Sequence, residues 1–221
     1  MEYIFLSHIL SDKTPSYGNR DKFEISPNTS INKGDTANTS SWSFSNNHFG
    51  THIDLPYHFY NNGKQMQDYD ANSFLFNKVQ LIDIHCNEGI LIDKDSYDWN
   101  TINENIDLLL IRTGFENKRA NDDYWMKYPG IASDLCHLWR EKFKSLRCIG
   151  FDFISLTSPL FKAEGKKAHQ VLLKPEADRD GIWIIEDMSL MNIKDKINKV
   201  LVAPIRVENG NGGPGTVMAE I

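Results

Sequence analysis

His48-Phe49-Gly50-Thr51-His52-Ile53-Asp54-Leu55-Pro56-Tyr57-His58 brings three of the chain's seven histidines and one aspartate within eleven residues. Neutral imidazole and carboxylate are the ligands that zinc and its neighbours take when no thiolate is offered. On a helix, His48 and His52 share a face but Asp54 points away from His52. On a strand, positions 48, 52, 54 and 58 have one parity and face one side. A straight strand still fails. Four extended residues span roughly 13 Å, whereas two ligand nitrogens on one zinc lie about 3–4 Å apart. The chain must therefore bend between His48 and His52, and Gly50 stands there, free to take backbone angles closed to other residues. Pro56 then excludes a central strand beyond Asp54 and turns His58 toward the site from a new direction. A polar turn with solvated histidines would account for any one of these residues, but not for all of them together with the glycine and the proline.

Working outward, four short apolar runs rich in β-branched residues read as buried strands: Val79 to Ile84, Ile106 to Arg112, Cys148 to Ile154 and Ile182 to Ile185. Lys199 to Val207 adds a fifth, and Val217 to Ile221 reads as a closing strand. The N-terminal Met1 to His8 has neither a basic start nor a small-residue cleavage site, so it reads as a first strand rather than a signal peptide. A helix is expected from Ser133 to Ser145, with Ser133 as N-cap and Leu135, Leu138, Trp139 and Phe143 on one face. From Ser11 to Ser45 the chain is polar and reads as a long surface loop or a pair of edge strands. Strands outnumber helices, and the helices fall between strands. The expected fold is mixed α/β and sheet-dominated, and with no repeat or linker, residues 1–221 form one domain.

Composition narrows the function. A net charge of -6 with no dense Lys/Arg block argues against nucleic acid as partner. No run of about eighteen apolar residues offers a membrane span. Cys86, Cys136 and Cys148 are scattered and include no Cys-x-x-Cys pair, so neither a disulfide framework nor a thiolate zinc site is expected. A reducing cytoplasm is the simplest setting, which makes the sequons at Asn28 and Asn38 chance matches.

The string His-x-Gly-Thr-His-x-Asp-x-Pro-x-His resembles that of the cyclase-like metal-dependent hydrolase family, which includes bacterial kynurenine formamidase, isatin hydrolase and certain dienelactone hydrolases. Other elements follow in the family's order: Ser7-His8-Ile9-Leu10 with Pro15 and Tyr17-Gly18, Gly150-Phe151-Asp152, Ala168-His169-Gln170-Val171-Leu172-Leu173, and Ile184-Ile185-Glu186-Asp187-Met188. The resemblance implies a barrel-like β core flanked by helices, and a homodimer or homotetramer. It also implies two divalent metal ions, zinc above all and sometimes manganese. His48, His52 and Asp54 would bind one; Asp54, His169 and Glu186 would bind the other, with Asp54 bridging. His58 would give and take the proton. Without the resemblance, His169 reads as a structural histidine. Glu186 ends an apolar run, where a buried carboxylate is costly unless paired or metal-bound, although an exposed strand end would also satisfy it. His8, His85 and His137 receive no role.

Two divalent ions can lower the pKa of a water toward 7 and polarise a carbonyl. The implied reaction is therefore hydrolysis of an amide, lactam or lactone of a small aromatic or cyclic substrate. The first expectation is an arylformamidase acting on N-formylkynurenine in tryptophan catabolism. The alternatives are an isatin- or lactone-type hydrolase, a metal-dependent cyclase or lyase on the same site, or a non-catalytic metal-binding module, which would have no use for His58. An imidazole near its ordinary pKa of about 6.5 suits the proton transfer. No Gly-x-Ser-x-Gly elbow is present. Tyr17 is expected either to pack on the aryl group of the substrate or to anchor its loop. The glycine-rich tail Gly210 to Thr216 invites a nucleotide-binding reading, but lacks the Lys-(Ser/Thr) pair and a following helix. Two departures from the family pattern stand out. Ser155 is followed by Leu156 and Thr157 where a second Asp is common, and the polar insert Lys174 to Asp180 is expected to form a hairpin loop at the pocket rim.

Overall fold

In the computed structural model, which describes residues 2–221, the apolar runs become the parallel centre of one curved sheet. The strands in chain order are β1 (Tyr3–Phe5), β2 (Phe23–Thr29), β3 (Thr39–Phe44), β4 (His52–Asp54), β5 (Leu75–Phe76), β6 (Val79–Asp83) and β7 (Leu91–Ile92). They continue with β8 (Leu108–Arg112), β9 (Gly130–Ile131), β10 (Cys148–Phe151), β11 (Trp183–Glu186), β12 (Lys199–Pro204) and β13 (Gly212–Glu220). Three α-helices lie between them: α1 (Asp123–Met126), α2 (Ser133–Lys142) and α3 (Lys162–Leu172). The main sheet runs β5-β12-β13-β4-β11-β10-β8-β6, with β1 also paired to β13. It is nearly closed and barrel-like. β6, β8, β10 and β11 are parallel, while β4 is antiparallel to both β11 and β13.

Alternation along the strands divides the core in two. Leu108, Leu110, Cys148, Ile185 and Ile53 pack inside the curve with Val200, Val202, Val217 and Ala219. Leu109, Ile111, Ile149, Phe151 and Ile184 face the helices with Leu135, Trp139, Ala168 and Leu172. Both faces of the parallel strands are buried, so their sequences are continuously apolar rather than alternating. Burying one such Leu or Ile contributes about 1.5–3 kcal/mol.

Several expectations are corrected here. The polar stretch from Ser11 to Ser45 holds a separate hairpin of β2 and β3, so the edge-strand alternative is what forms. The expected first strand is reduced to Tyr3–Phe5, with Met1 outside the described residues. Helix α2 begins with Ser133 inside it and ends at Lys142. Ser133 does not cap its own helix: its hydroxyl and its backbone N–H both donate to Glu164 of α3, at 2.5 and 2.8 Å. The last strand starts at Gly212, well before Val217, and β12 stops at Pro204, short of Val207. Gly212 pairs with Asp54 at φ +151, and a Cβ there would lie 2.2 Å from the Ile53 carbonyl. Gly212 therefore serves close strand approach, not phosphate binding. No helix among the described residues is long and apolar enough to cross a membrane.

Candidate functional site

The antiparallel register of β4 and β11 sets His52 directly opposite Glu186. Ile53 and Ile185 point into the inner core, so His52, Asp54 and Glu186 project from the other face. The chain reaches β4 through the bend at Gly50, whose φ is +60. Beyond Asp54, Pro56 opens a single 3-10 turn, Pro56–His58, which carries His58 back to the site. α3 delivers His169 from the opposite side, so one face of the sheet, one turn and one helix converge.

The two imidazoles are oriented by backbone. His52 Nδ1–H donates to the Gly50 carbonyl at 2.7 Å, and His169 Nδ1–H donates to the Gly165 carbonyl at 2.9 Å. Each ring therefore points its Nε2 inward. His52 Nε2 lies 3.4 Å from Glu186 Oε2 and 3.5 Å from Asp54 Oδ1. His169 Nε2 lies 3.6 Å from both Asp54 Oδ2 and Glu186 Oε1. These separations exceed the usual 2.7–3.2 Å hydrogen bond. They match the roughly 3–4 Å between two atoms that share a metal through bonds near 2 Å. Glu186 is fixed in turn, since its Oε1 accepts the Leu156 N–H at 2.7 Å and the Ser155 hydroxyl at 3.1 Å. Ser155 thus supports a carboxylate, which the sequence did not reveal.

Electrostatics supports the same fit. His52, Asp54, His169 and Glu186 are all at most 5% exposed. Burial opposes charge on the imidazoles, but the Glu186 and Asp54 carboxylates outweigh it and push His52 to about 9 and His169 to about 10. Burial likewise opposes ionisation of Asp54, yet the surrounding imidazoles, His48 foremost, hold it well below the carboxylate range. The two buried carboxylates hold positive charge between them, carried by the imidazolium protons in the metal-free protein and by a cation where one displaces those protons. A divalent cation suits this donor set of two imidazoles and two carboxylates.

His48 sits differently. Its Nδ1 contacts Asp54 Oδ1 at 2.6 Å and its Nε2 is 3.2 Å from Asn211 Oδ1, while His48, Asp54 and His58 lie close enough together to share an ion. His58 stacks on His48 with ring centroids 4.0 Å apart. Burial, the largest cause, with the His48 and His169 charges, overcomes the Asp54 and Glu186 carboxylates and lowers His58 to about 4, below the ordinary value expected of it, so it is neutral through the physiological range. Phe59 stacks on His169 at 4.9 Å and closes that wall. These groups border a cavity of about 430 Å³, which Tyr17 and Arg20 also line; that volume falls in the size range of small-ligand pockets.

The insert Lys174 to Asp180 is not on this rim, contrary to expectation. Arg179 draws it onto the end of α2, donating to the carbonyls of Arg140, Phe143 and Leu146 at 2.7–2.9 Å. Carbonyls at and just beyond a helix terminus have no intrahelical partner to complete their bonding, and Arg179 supplies it. Sequence reasoning also missed a brace beneath the site. Asp187, at φ +52, accepts from Arg119 Nη2 at 2.7 Å and from the Tyr124 hydroxyl at 2.5 Å. Its carbonyl accepts the Thr51 hydroxyl at 2.5 Å, and Thr51 Oγ1 accepts the His8 N–H at 3.0 Å. No local pattern signals this brace, since its members lie far apart in sequence.

Comparison with known proteins gives the chain's family and fold. The family model described as "Putative cyclase" matches residues 4–157. Kynurenine formamidase of Bacillus cereus (strain ATCC 10987 / NRS 248) is 30% identical over 167 residues, covering 76% of this chain and 73% of that protein. Isatin hydrolase A from Labrenzia aggregata superposes with a TM-score of 0.80 at 20% identity, covering 99% of this chain and 93% of that one. A predicted metal-dependent hydrolase from Bacillus stearothermophilus superposes with a TM-score of 0.76 at 21% identity, covering 99% and 97%. At such identities the structural likeness speaks for the fold alone.

Proposed function

Since the chain belongs to the cyclase family, we propose that it is a metal-dependent hydrolase of a non-peptide C–N bond, an arylformamidase acting on N-formylkynurenine. The observation that carries this reading is the convergence of His52 Nε2 and His169 Nε2 on the Asp54 and Glu186 carboxylates at 3.4–3.6 Å. In this reading His48, His52 and Asp54 hold one divalent ion, and Asp54, His169 and Glu186 hold a second. Support for the bridging role of Asp54 comes from its two oxygens: Oδ1 faces His48 and His52, and Oδ2 faces His169. Zinc is the first choice for this nitrogen and oxygen set, and manganese the second. When bound, such ions polarise a carbonyl and make water a nucleophile near neutral pH.

The chain's own residues do the rest. His58, neutral and at the cavity wall, takes a proton from the attacking water and returns it to the leaving nitrogen. Tyr17 and Phe59 give the aryl group two aromatic surfaces. Asp54 and Glu186, held below the usual carboxylate range, stay ionised throughout, while the Gly50 and Gly165 carbonyls fix the direction of the two imidazoles. Homodimerisation is part of the same reading. Its support is an apolar face carrying Phe5, Ile9, Ile25, Trp42 and Ile205, each at least 47% exposed, a kind of patch that marks interaction sites.

The test is a hydrolysis screen with zinc or manganese supplied, offering N-formylkynurenine, isatin and simple lactones. Turnover of N-formylkynurenine above the others is the expected result. Preference for isatin or a lactone would replace the substrate and keep the site; no turnover of any would overturn the hydrolase reading.

A further inference from the structure

Arg20 is the only lysine or arginine that lines the cavity among the described residues. It sits just after a short, clamped turn. Ser16 Oγ accepts the Asp21 N–H at 3.0 Å and donates to the Asp21 carbonyl at 3.1 Å, tying the ends of the turn together. Asn19 N–H donates to the Ser16 carbonyl at 2.8 Å. Between these ties Gly18 and Asn19 both take positive φ, +62 and +52. A non-glycine residue held there is a local strain that functional sites often carry.

The clamp fixes the backbone from which the exposed Arg20 side chain extends along the turn. Arg20 Nε–H donates to the Tyr17 carbonyl at 3.3 Å, and its Cζ lies 5.2 Å from the Tyr17 ring centroid. Arg20 has no carboxylate partner among the described residues, a feature it shares with Arg179, which is committed to three carbonyls, and Arg206, which lies outside the cavity, whereas Arg112, Arg119, Arg140 and Arg147 each have one. The neighbouring Asp21 is no substitute, because its carboxylate accepts from Ser45 Oγ at 3.3 Å and Asn46 Nδ2 at 3.4 Å. A positioned guanidinium with its two terminal nitrogens uncommitted is the donor pair that a planar carboxylate engages with two parallel hydrogen bonds.

We infer that Arg20 is a specificity-determining residue that binds a carboxylate on the substrate, so that the cavity selects anionic over neutral aryl substrates. Tyr17 and Arg20 then act as one unit, the ring facing the aryl group and the guanidinium facing the acid. The inference rests on the proposed reading only in taking the substrate as aromatic.

Binding rather than turnover tests it. Calorimetry on the metal-loaded protein would compare 4-oxo-4-phenylbutanoate with its neutral amide, in wild type, Arg20→Gln and Arg20→Lys. The expected result is a loss of about tenfold in acid affinity for Arg20→Gln, with the amide unchanged and Arg20→Lys intermediate. Equal loss for acid and amide, no loss for either, or no binding of either to wild type would each overturn the inference. The acid-to-amide ratio isolates Arg20 from any carboxylate contact with metal, since such a contact is common to all three proteins. If N-formylkynurenine is not hydrolysed while the Arg20-dependent preference persists, the arylformamidase reading fails and the anion site stands.

Discussion

Glu186 faces His52 across the ladder of β4 and β11, with Oε2 3.4 Å from Nε2, longer than the usual hydrogen bond and close enough to share an ion. The strand pairing holds this relationship, so removing the charge should leave the fold intact. Glu186→Gln is expected to fold with unchanged circular dichroism and to lose at least about 10–100-fold in zinc affinity, the scale seen when even an outer partner is lost. Unchanged affinity in a calorimetric titration would remove Glu186 from the ligand set.

Ser155 offers a milder test. Its hydroxyl holds Glu186 Oε1 at 3.1 Å beside the Leu156 N–H, so Ser155→Ala leaves one of two restraints. Metal affinity should fall by roughly 10-fold, within the range for outer partners. The same titration checks it.

The metal-free protein should lose stability as the solution turns alkaline. Unfolded, each imidazole releases its proton near pH 6.5. Folded, His52 keeps its proton to about 9 and His169 to about 10. Across that window the native state binds more protons than the unfolded chain, so stability is full below about 6.5 and declines as pH rises. The urea midpoint of chelator-treated wild type should drop between pH 6.5 and 9.5 by more than that of His169→Asn. Metal affinity should move the other way, because the metal displaces those protons. Parallel midpoints in the two proteins would contradict the assigned pairing.

His58 should separate chemistry from binding. It stacks on His48 4.0 Å away and contributes none of the inward Nε2 pair. His58→Ala should keep its metal and lose roughly 10²–10⁴-fold in kcat, the usual range for one general acid–base group. Loss of metal in that variant would reassign His58 as a ligand.

Gly50→Ala should destabilise through the bend. The site holds φ +60, and a Cβ would lie 2.4 Å from Leu10 Cδ2. The left-handed backbone alone costs about 1–2 kcal/mol, a melting temperature lower by roughly 2–8 °C for a chain of this size. An unchanged melting temperature would show that the bend can relax.

Much of the site was legible because its chemistry is local. His52, Asp54, the bend at Gly50 and the turn at Pro56 lie within a few residues, so spacing and backbone freedom constrain them together. Glu186 was readable as a carboxylate closing an apolar run, and that run is β11. Helix α3 was not legible. Its buried positions are Gly165, Ala168, His169 and Leu172, which give little apolar periodicity. The role of Gly165 is packing: a Cβ there would lie 2.5 Å from Thr157. His169 was therefore identified by resemblance and not by any helix around it. The insert from Lys174 to Asp180 was misplaced because its anchor, Arg179, bonds carbonyls at the far end of α2, a contact no local pattern carries. The brace of Asp187 on Arg119 and Tyr124 escaped for the same reason: it spans more than 60 residues of chain.

The most direct measurement is elemental analysis of the purified protein after zinc or manganese reconstitution, beside an Asp54→Ala variant. Asp54 is the one group that faces His48, His52 and His169 at once. About two ions per wild-type chain, falling to none or nearly none in the variant, is the predicted result. Wild-type protein that retains no metal after reconstitution would contradict the account at its centre.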